Sequence, residues 1–199
     1  VLKVIAQHEN ICKYIDLPLQ HISNNVLHSM KRRATKENII DLIKEIRDTV
    51  PNVAIRTTFI VGYPTETEQD FEELYRFVEE QRFERLGVFA YSPEEGTTAY
   101  PLGDPVSQKV KDERLDKIMR LQQQISLERN KSFIGKTIEV IIDDDENKKF
   151  YIGRTQFDAP EIDNGVIIKS NKKFLPGVII KAKVFRAEEY DLHVEYPAN

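Results

Sequence analysis

The stretch AIRTTFIVGYPTETEQDFEELYRFVEEQ, residues 54–81, spells a strand, a tight turn and a helix in immediate succession. AIRTTFIVG (54–62) is rich in β-branched and aromatic residues, as strands are, and Gly62 and Pro64 mark a turn. TEQDFEELYRFVEEQ (67–81) places Phe71, Leu74, Tyr75 and Val78 on one helical stripe. Thr67 and Asp70 stand at the N-cap and N3 positions, a variant of the capping box, and Glu68 and Asp70 suit the positive end of the helix dipole. The same alternation flanks this unit. YIDLPL (14–19) reads as a strand, followed by a short helix in SNNVLHSMKRR (23–33) capped by Ser23. A second helix follows in TKENIIDLIKEIRDTV (35–50), with Thr35 as its N-cap, Pro51 as its stop and Ile39, Ile43, Ile46 and Val50 on one face. RLGVFAYS (85–92) reads as a third strand, and a long helix from about Ser107 to Lys131 carries Leu115, Ile118, Leu121 and Ile125 on one side.

Three strand–helix units in sequence imply a parallel sheet with right-handed crossovers, either a barrel, part of one, or an open doubly wound sheet. No GxGxxG or GxxxxGK[ST] follows any strand, so the nucleotide folds that use those loops find no support. In either architecture a site belongs at the C-terminal strand ends, here PLQHIS (18–23), VGYPTET (61–67) and AYSPEEGT (90–97).

From Phe133 the periodicity changes. TIEVIIDDD (137–145), FYIGRTQF (150–157), GVIIKS (165–170), VIIKAKVFRA (178–187) and DLHVEYP (191–197) are short strands parted by polar and Pro-Gly turns. Five such strands fit a small β-barrel of the oligonucleotide-binding type. The expected fold class is therefore α/β plus all-β, with a boundary that gives domains 1–132 and 133–199.

Composition narrows the function. With 40% hydrophobic and 31% charged residues the chain has a soluble, globular composition, and no apolar run reaches the roughly 20 residues a membrane helix needs. Cys12 is the single cysteine, which excludes an intrachain disulfide and a thiolate-only metal site and makes a cytoplasmic setting the expectation. In its context before a strand, Cys12 reads as a small buried residue. His8, His21, His28 and His193 show no metal-ligand spacing. The net charge of −4 is not that of a typical nucleic-acid binder. The chain starts without methionine, and a piece of a longer protein is expected.

Arg56 and Thr58 pose the sharpest question. Alternate strand residues share a face, so Arg56, Thr58, Ile60 and Gly62 lie opposite Thr57, Phe59 and Val61. Helices cover the outside of a βα barrel, which turns Arg56 and Thr58 inward. An inward guanidinium needs an anion, such as a bound carboxylate or phosphate or an internal acid. Gly62 would admit a flat ligand, and Gln20 would offer amide groups to hydroxyls. The alternative is a structural pair of Arg56 with Asp16 or a glutamate, with Gly62 serving only the turn.

The whole stretch from YIDLPLQHIS through AYSPEEGT (14–97) resembles the radical S-adenosylmethionine (SAM) methylthiotransferases, which join a cluster-binding domain, a radical SAM barrel and a TRAM domain. PLQH (18–21) and RTQFDAPEIDNGV (154–166) are similar to the branch that modifies a small-subunit ribosomal protein. The resemblance implies the second half of a radical SAM partial (β/α) barrel followed by a five-stranded, OB-like TRAM barrel. It implies SAM and two 4Fe-4S clusters as cofactors, although the cysteines that hold such clusters in the family are absent from this chain. No catalytic residue and no metal ligand is therefore assigned here, and the chain alone is expected to be inactive. The implied reaction of the whole enzyme is methylthiolation of an aspartate β-carbon.

On that reading the cofactor-binding candidates are Gln20, Arg56, Thr58, Gly62, Phe89 and Tyr91, the last two sharing a strand face where an adenine could stack or where barrel core could pack. His21 is either a ligand contact or a surface residue capping the loop before Ser23. Glu94, Glu95, Asp144, Asp145, Glu188 and Glu189 are candidates for docking a basic substrate. Residues 133–199 hold ten Lys/Arg and twelve Asp/Glu, a difference of −2. A slightly acidic surface favours a basic ribosomal protein, with the ribosome or ribosomal RNA as further contacts, over tRNA or a membrane. The alternatives are a tRNA adenosine methylthiotransferase and a non-catalytic module that binds RNA or protein.

Overall fold

The computed structural model describes residues 1–144 and 150–196. The chain forms two compact units, Val1–Gln7 with Ile15–Gln122, and His8–Tyr14 with Gln123–Asn199.

Helix α1 (Leu2–Gln7) precedes strand β1 (Tyr14–Asp16), helices α2 (Asn24–Ser29) and α3 (Lys36–Thr49), strand β2 (Ala54–Val61), helix α4 (Glu68–Gln81), strand β3 (Arg85–Ala90) and the long helix α5 (Gln108–Lys131), which begins in the first unit and from Gln123 belongs to the second. The sheet order is β1-β2-β3, and β2 and β3 run parallel with Arg56 opposite Arg85 and Ile60 opposite Phe89. This is the strand–helix alternation expected of a partial (β/α) barrel.

β1 is shorter than its sequence suggests, because Pro18 has no N–H to give to a ladder. Pairing resumes at Gln20, whose N–H donates to the Thr58 carbonyl and whose carbonyl accepts from Ile60 N–H. Thr57 repairs the gap from the buried face: its hydroxyl donates to the Leu17 carbonyl at 2.9 Å and accepts from Leu19 N–H. A threonine at the front of a core strand thus serves backbone groups that the proline interrupts.

Thr67 and Asp70 form the expected capping box, and Thr35 caps its helix as expected and completes a second box with Asn38. Ile39, Ile43, Ile46 and Val50 are buried as their spacing requires. On α4, Phe77 enters the core and Tyr75 stays half-buried. Phe59, Phe77 and Phe83 meet edge to face, with centroids 5.7–6.3 Å apart. The α2 helix ends at Ser29, short of the expected stretch, and Ser23 caps it without a side-chain bond because its hydroxyl is committed to Asp70 at 2.5 Å.

The second unit contains a closed barrel in the order β4-β5-β6-β8-β7: β4 (Thr137–Asp144), β5 (Phe150–Arg154), β6 (Gly165–Ser170), β7 (Ile179–Ala187) and β8 (Asp191–Tyr196). All neighbours are antiparallel except β6 and β8, as in oligonucleotide-binding barrels. Val140, Ile142, Tyr151, Val166, Ile168, Ile180, Val184 and Val194 fill it by strict alternation. The segment RTQFDAPEID folds on itself: Asp158 accepts from the Thr155 hydroxyl at 2.5 Å, Asp163 accepts from Ala159 N–H at 2.9 Å, and the Tyr14 hydroxyl also donates to Asp163 at 2.6 Å. Cys12 is exposed, contrary to the buried reading of the sequence, because it lies in a connection between elements rather than in one. Among the described residues, no helix is long and apolar enough to cross a membrane.

Candidate functional site

The sheet of the first unit has two unlike faces. Ile55, Thr57, Phe59 and Val61 are fully buried on one. The opposite face carries Arg56, Thr58 and Ile60 from β2 beside Arg85, Gly87 and Phe89 from β3. Arg56 pairs with Asp16 at 2.9 Å, Thr58 is half-buried, and Phe89 is 60% exposed. Gln20 stands at the edge of this face in a left-handed conformation (φ 71°), which its two backbone bonds to β2 hold.

At the C-terminal strand ends the surface becomes a packed rim. Tyr91 follows β3 on the same face as Phe89, but there it is covered: it is 8% exposed and packs edge to face on Tyr63 beside Val26. Phe89 and Tyr91 therefore have different surroundings, an open aromatic face and a buried one. Gly62 has φ +72°, and a Cβ there would overlap the Lys111 stem.

A buried polar cluster supports this rim. His21 is wholly buried rather than on the surface; its Nδ1 accepts from Ser23 N–H at 3.0 Å, so it does cap that loop, from inside. Burial pushes its pKa down to about 4, with Asp70 raising it and Arg114 lowering it. Asp70 accepts from Ser23, Asn25 and Thr67. Glu66 accepts from Tyr63 N–H at 3.0 Å and faces Arg114 at 3.3 Å; burial nevertheless pushes its carboxyl up to about 7. Glu84 is buried as well and accepts from Ile55 N–H at 2.9 Å. Sequence reasoning missed Glu66, Glu84, Lys111 and Arg114. Lys111 and Arg114 gave a signal only as charges at i, i+3 positions that extend the apolar stripe of α5, and Glu66 and Glu84, in connections between elements, gave none.

His21 supplies a pH prediction. Its folded pKa lies below the unfolded value of 6.5, so its contribution to stability is complete above pH 6.5 and is lost as pH falls through that value toward 4. The full loss is on the order of 3 kcal/mol. Glu66, with its raised pKa, acts in the opposite sense over the same window, so the readout is a difference: in urea denaturation at pH 7, 5.5 and 4.5 the wild type should lose stability relative to His21→Gln as pH falls, and parallel pH profiles for the two would remove His21 as a source.

The substrate-docking candidates belong to both units. Glu94 and Glu95 are exposed in the connection after β3, and Tyr100 donates to Glu95 at 3.3 Å. Asp144 is exposed at the end of β4, and Asp145 lies outside the described residues. Glu188 is ion-paired to Arg186 and lies 3.5 Å from His193, whereas Glu189 is exposed and its carbonyl accepts from Ser126.

The donor set of the open face suits SAM. The exposed Phe89 ring can meet an adenine, the missing side chain of Gly87 leaves room for a flat group, and Arg56, ion-paired to Asp16, places a guanidinium on the same face. It does not suit an iron–sulfur cluster, which needs several thiolates where the chain has one exposed cysteine.

Residues 1–78 match the family model described as the radical SAM superfamily, and residues 134–196 match that of the TRAM domain. Proteins named ribosomal protein uS12 methylthiotransferase RimO align along almost the whole chain: 48% identical in Phocaeicola vulgatus over 97% of this chain, 49% in Flavobacterium psychrophilum over 98%, and 46% in Aquifex aeolicus over 96%. The chain is thus similar to these methylthiotransferases across both matched regions. It spans about 45% of the length of each of these relatives. A solved structure, coproporphyrinogen III oxidase (HemN) from Escherichia coli, described as a radical SAM enzyme, shares the fold with a TM-score of 0.52 at 21% identity, covering 63% of this chain and 30% of that one. This similarity agrees with the observed architecture, parallel strands and helices in the region that matches the radical SAM model and a closed five-stranded barrel in the region that matches the TRAM model.

Proposed function

We propose that this chain is the part of a methylthiotransferase that binds SAM and docks the substrate, and that the whole enzyme methylthiolates an aspartate β-carbon of a small-subunit ribosomal protein in the cytoplasm. The observation that carries this reading is the identity of 46–49% to uS12 methylthiotransferases across both the barrel half and the TRAM domain. Residues 1–132 and 133–199 are the functional modules of this reading. Radical chemistry would come from SAM and two 4Fe-4S clusters whose ligands lie outside this chain; its own residues bind, orient and cover. In this reading Arg56 would hold the SAM carboxylate, Gln20 and Thr58 would serve the ribose hydroxyls, and Gly62, Phe89 and Tyr91 would shape the adenine side. Glu94, Glu95, Asp144, Asp145, Glu188 and Glu189 bias the surface toward a basic protein, with ribosomal RNA as a neighbour and tRNA disfavoured.

The test uses the full-length protein with reconstituted clusters, SAM and a reductant, offered uS12 or tRNA in separate reactions. Mass spectrometry should find a methylthio group on a uS12 aspartate. Modification of tRNA adenosine with none on uS12 overturns the assignment. In the same protein Arg56→Ala should weaken SAM binding about tenfold, the cost of roughly 1.5–3 kcal/mol for a charge-assisted bond. Unchanged affinity by calorimetry removes Arg56 from the site.

A further inference from the structure

Lys111 is the most deeply buried cation of the described first unit, with its side chain 1% exposed. It sits in the first turn of α5 and reaches three places at once. Its stem fills the space that a Cβ would take at Gly62, where β2 ends. Its Nζ donates to the Tyr91 carbonyl at 2.9 Å, where β3 ends, and lies 5.4 Å from the Tyr91 ring centroid. Its charge is met by both carboxylate oxygens of Asp104, at 2.5 and 2.6 Å.

Asp104 lies near the far end of the connection between Tyr91 and Gln108. That connection contains only a single 3₁₀ turn, Tyr100–Leu102, and is otherwise irregular and almost wholly exposed. A long irregular connection of this kind is free to move unless something ties it down. Here Ala99 touches the Tyr63–Tyr91 cluster, and the Lys111–Asp104 pair is the charged tie. Burying an ammonium carries a desolvation cost that only good geometry and a close counter-charge offset, and Asp104 supplies both. Removing one partner leaves the other charged group without its counterpart.

We propose that Lys111 is a positioning residue: it sets the ends of β2 and β3 and the 92–107 connection against one another, and so gives the SAM-binding rim its shape. The stem holds Gly62 and the ammonium holds Tyr91 and Asp104, so one side chain fixes three rim segments without touching the ligand. The link to SAM rests on the reading in the preceding subsection; the tie itself does not.

The experiment uses full-length protein and two variants, Lys111→Met, which keeps most of the stem and removes the charge, and Asp104→Asn, which keeps Lys111. Hydrogen–deuterium exchange of the peptides covering 61–67 and 91–107 is read beside SAM affinity by calorimetry. Both variants should exchange at least tenfold faster over 91–107, with α3 and the β4–β8 barrel unchanged, and should bind SAM at least fivefold more weakly. Lys111→Arg should restore part of the protection. Unchanged exchange over 91–107 in Asp104→Asn overturns the proposal, even if Lys111→Met fails to fold. If the wild type binds no SAM while the exchange result stands, the SAM reading fails and the tie holds. Faster exchange with wild-type SAM affinity overturns the claim that the tie shapes the binding rim.

Discussion

Gly153→Ala is expected to open the TRAM barrel. Gly153 is buried in β5, and a Cβ there would run into the carbonyl oxygen of Ile141 on the neighbouring strand, with Val140 and Ile168 side chains 2.9 and 3.1 Å away. A flexible side chain could yield, but a backbone oxygen in a closed barrel cannot shift without breaking its ladder. Overpacking of this kind costs about 1–3 kcal/mol where side chains relax and more where backbone must move, so a loss on the order of 3 kcal/mol or more is expected. Gly165→Ala is the control: its neighbour is the end of the Asp191 side chain at 3.1 Å, which can swing away. Thermal and urea melts of the chain should separate the two variants widely. Equal, small losses would mean that β4 and β5 are not packed at Gly153 as described.

Phe59→Ala carries the second large effect. Phe59 is wholly buried in β2 and meets Phe77 and Phe83 edge to face. Truncating such a ring removes its apolar burial and leaves a cavity between two further rings, at about 3–5 kcal/mol. Phe89→Ala, on the opposite face and 60% exposed, should cost less than about 1 kcal/mol of stability and instead lower SAM affinity. The pair thus splits stability from binding along a single sheet, read by denaturation midpoint and calorimetry. A loss below about 1 kcal/mol for Phe59→Ala would contradict the aromatic core.

What was legible in the sequence was what local rules determine. Thr35 and Thr67 announce their helices because a cap needs only its own first turn. Arg56 and Thr58 announce an unusual strand face because alternation has a period of two. The barrel strands were visible for the same reason, flanked by their turns. The missing part was polar and distant. Lys111 and Arg114 look like a solvated helix face until Asp104, Glu66 and the Tyr91 carbonyl are brought to them by the fold. His21 looks like a loop residue until the same fold buries it. Alternation left the Arg56–Asp16 pair open as one partner for an inward guanidinium, and the structure contains that pair. Burial of a charge is decided by partners far along the chain, which no window of sequence contains.

The second unit draws on both ends of the chain, since His8–Tyr14 belong to it along with residues 123 onward. During synthesis, Tyr14 leaves the ribosome 149 residues before Asp163, the carboxylate to which its hydroxyl donates. The early segment must therefore wait, extended or provisionally packed, until almost the whole chain has been made. Any dissection that begins after the long helix discards Tyr14 together with Ser126 and Asn130, which donate to the Glu189 and Glu188 carbonyls. A barrel cut out by its strand pattern alone would thus be born without its own first thread.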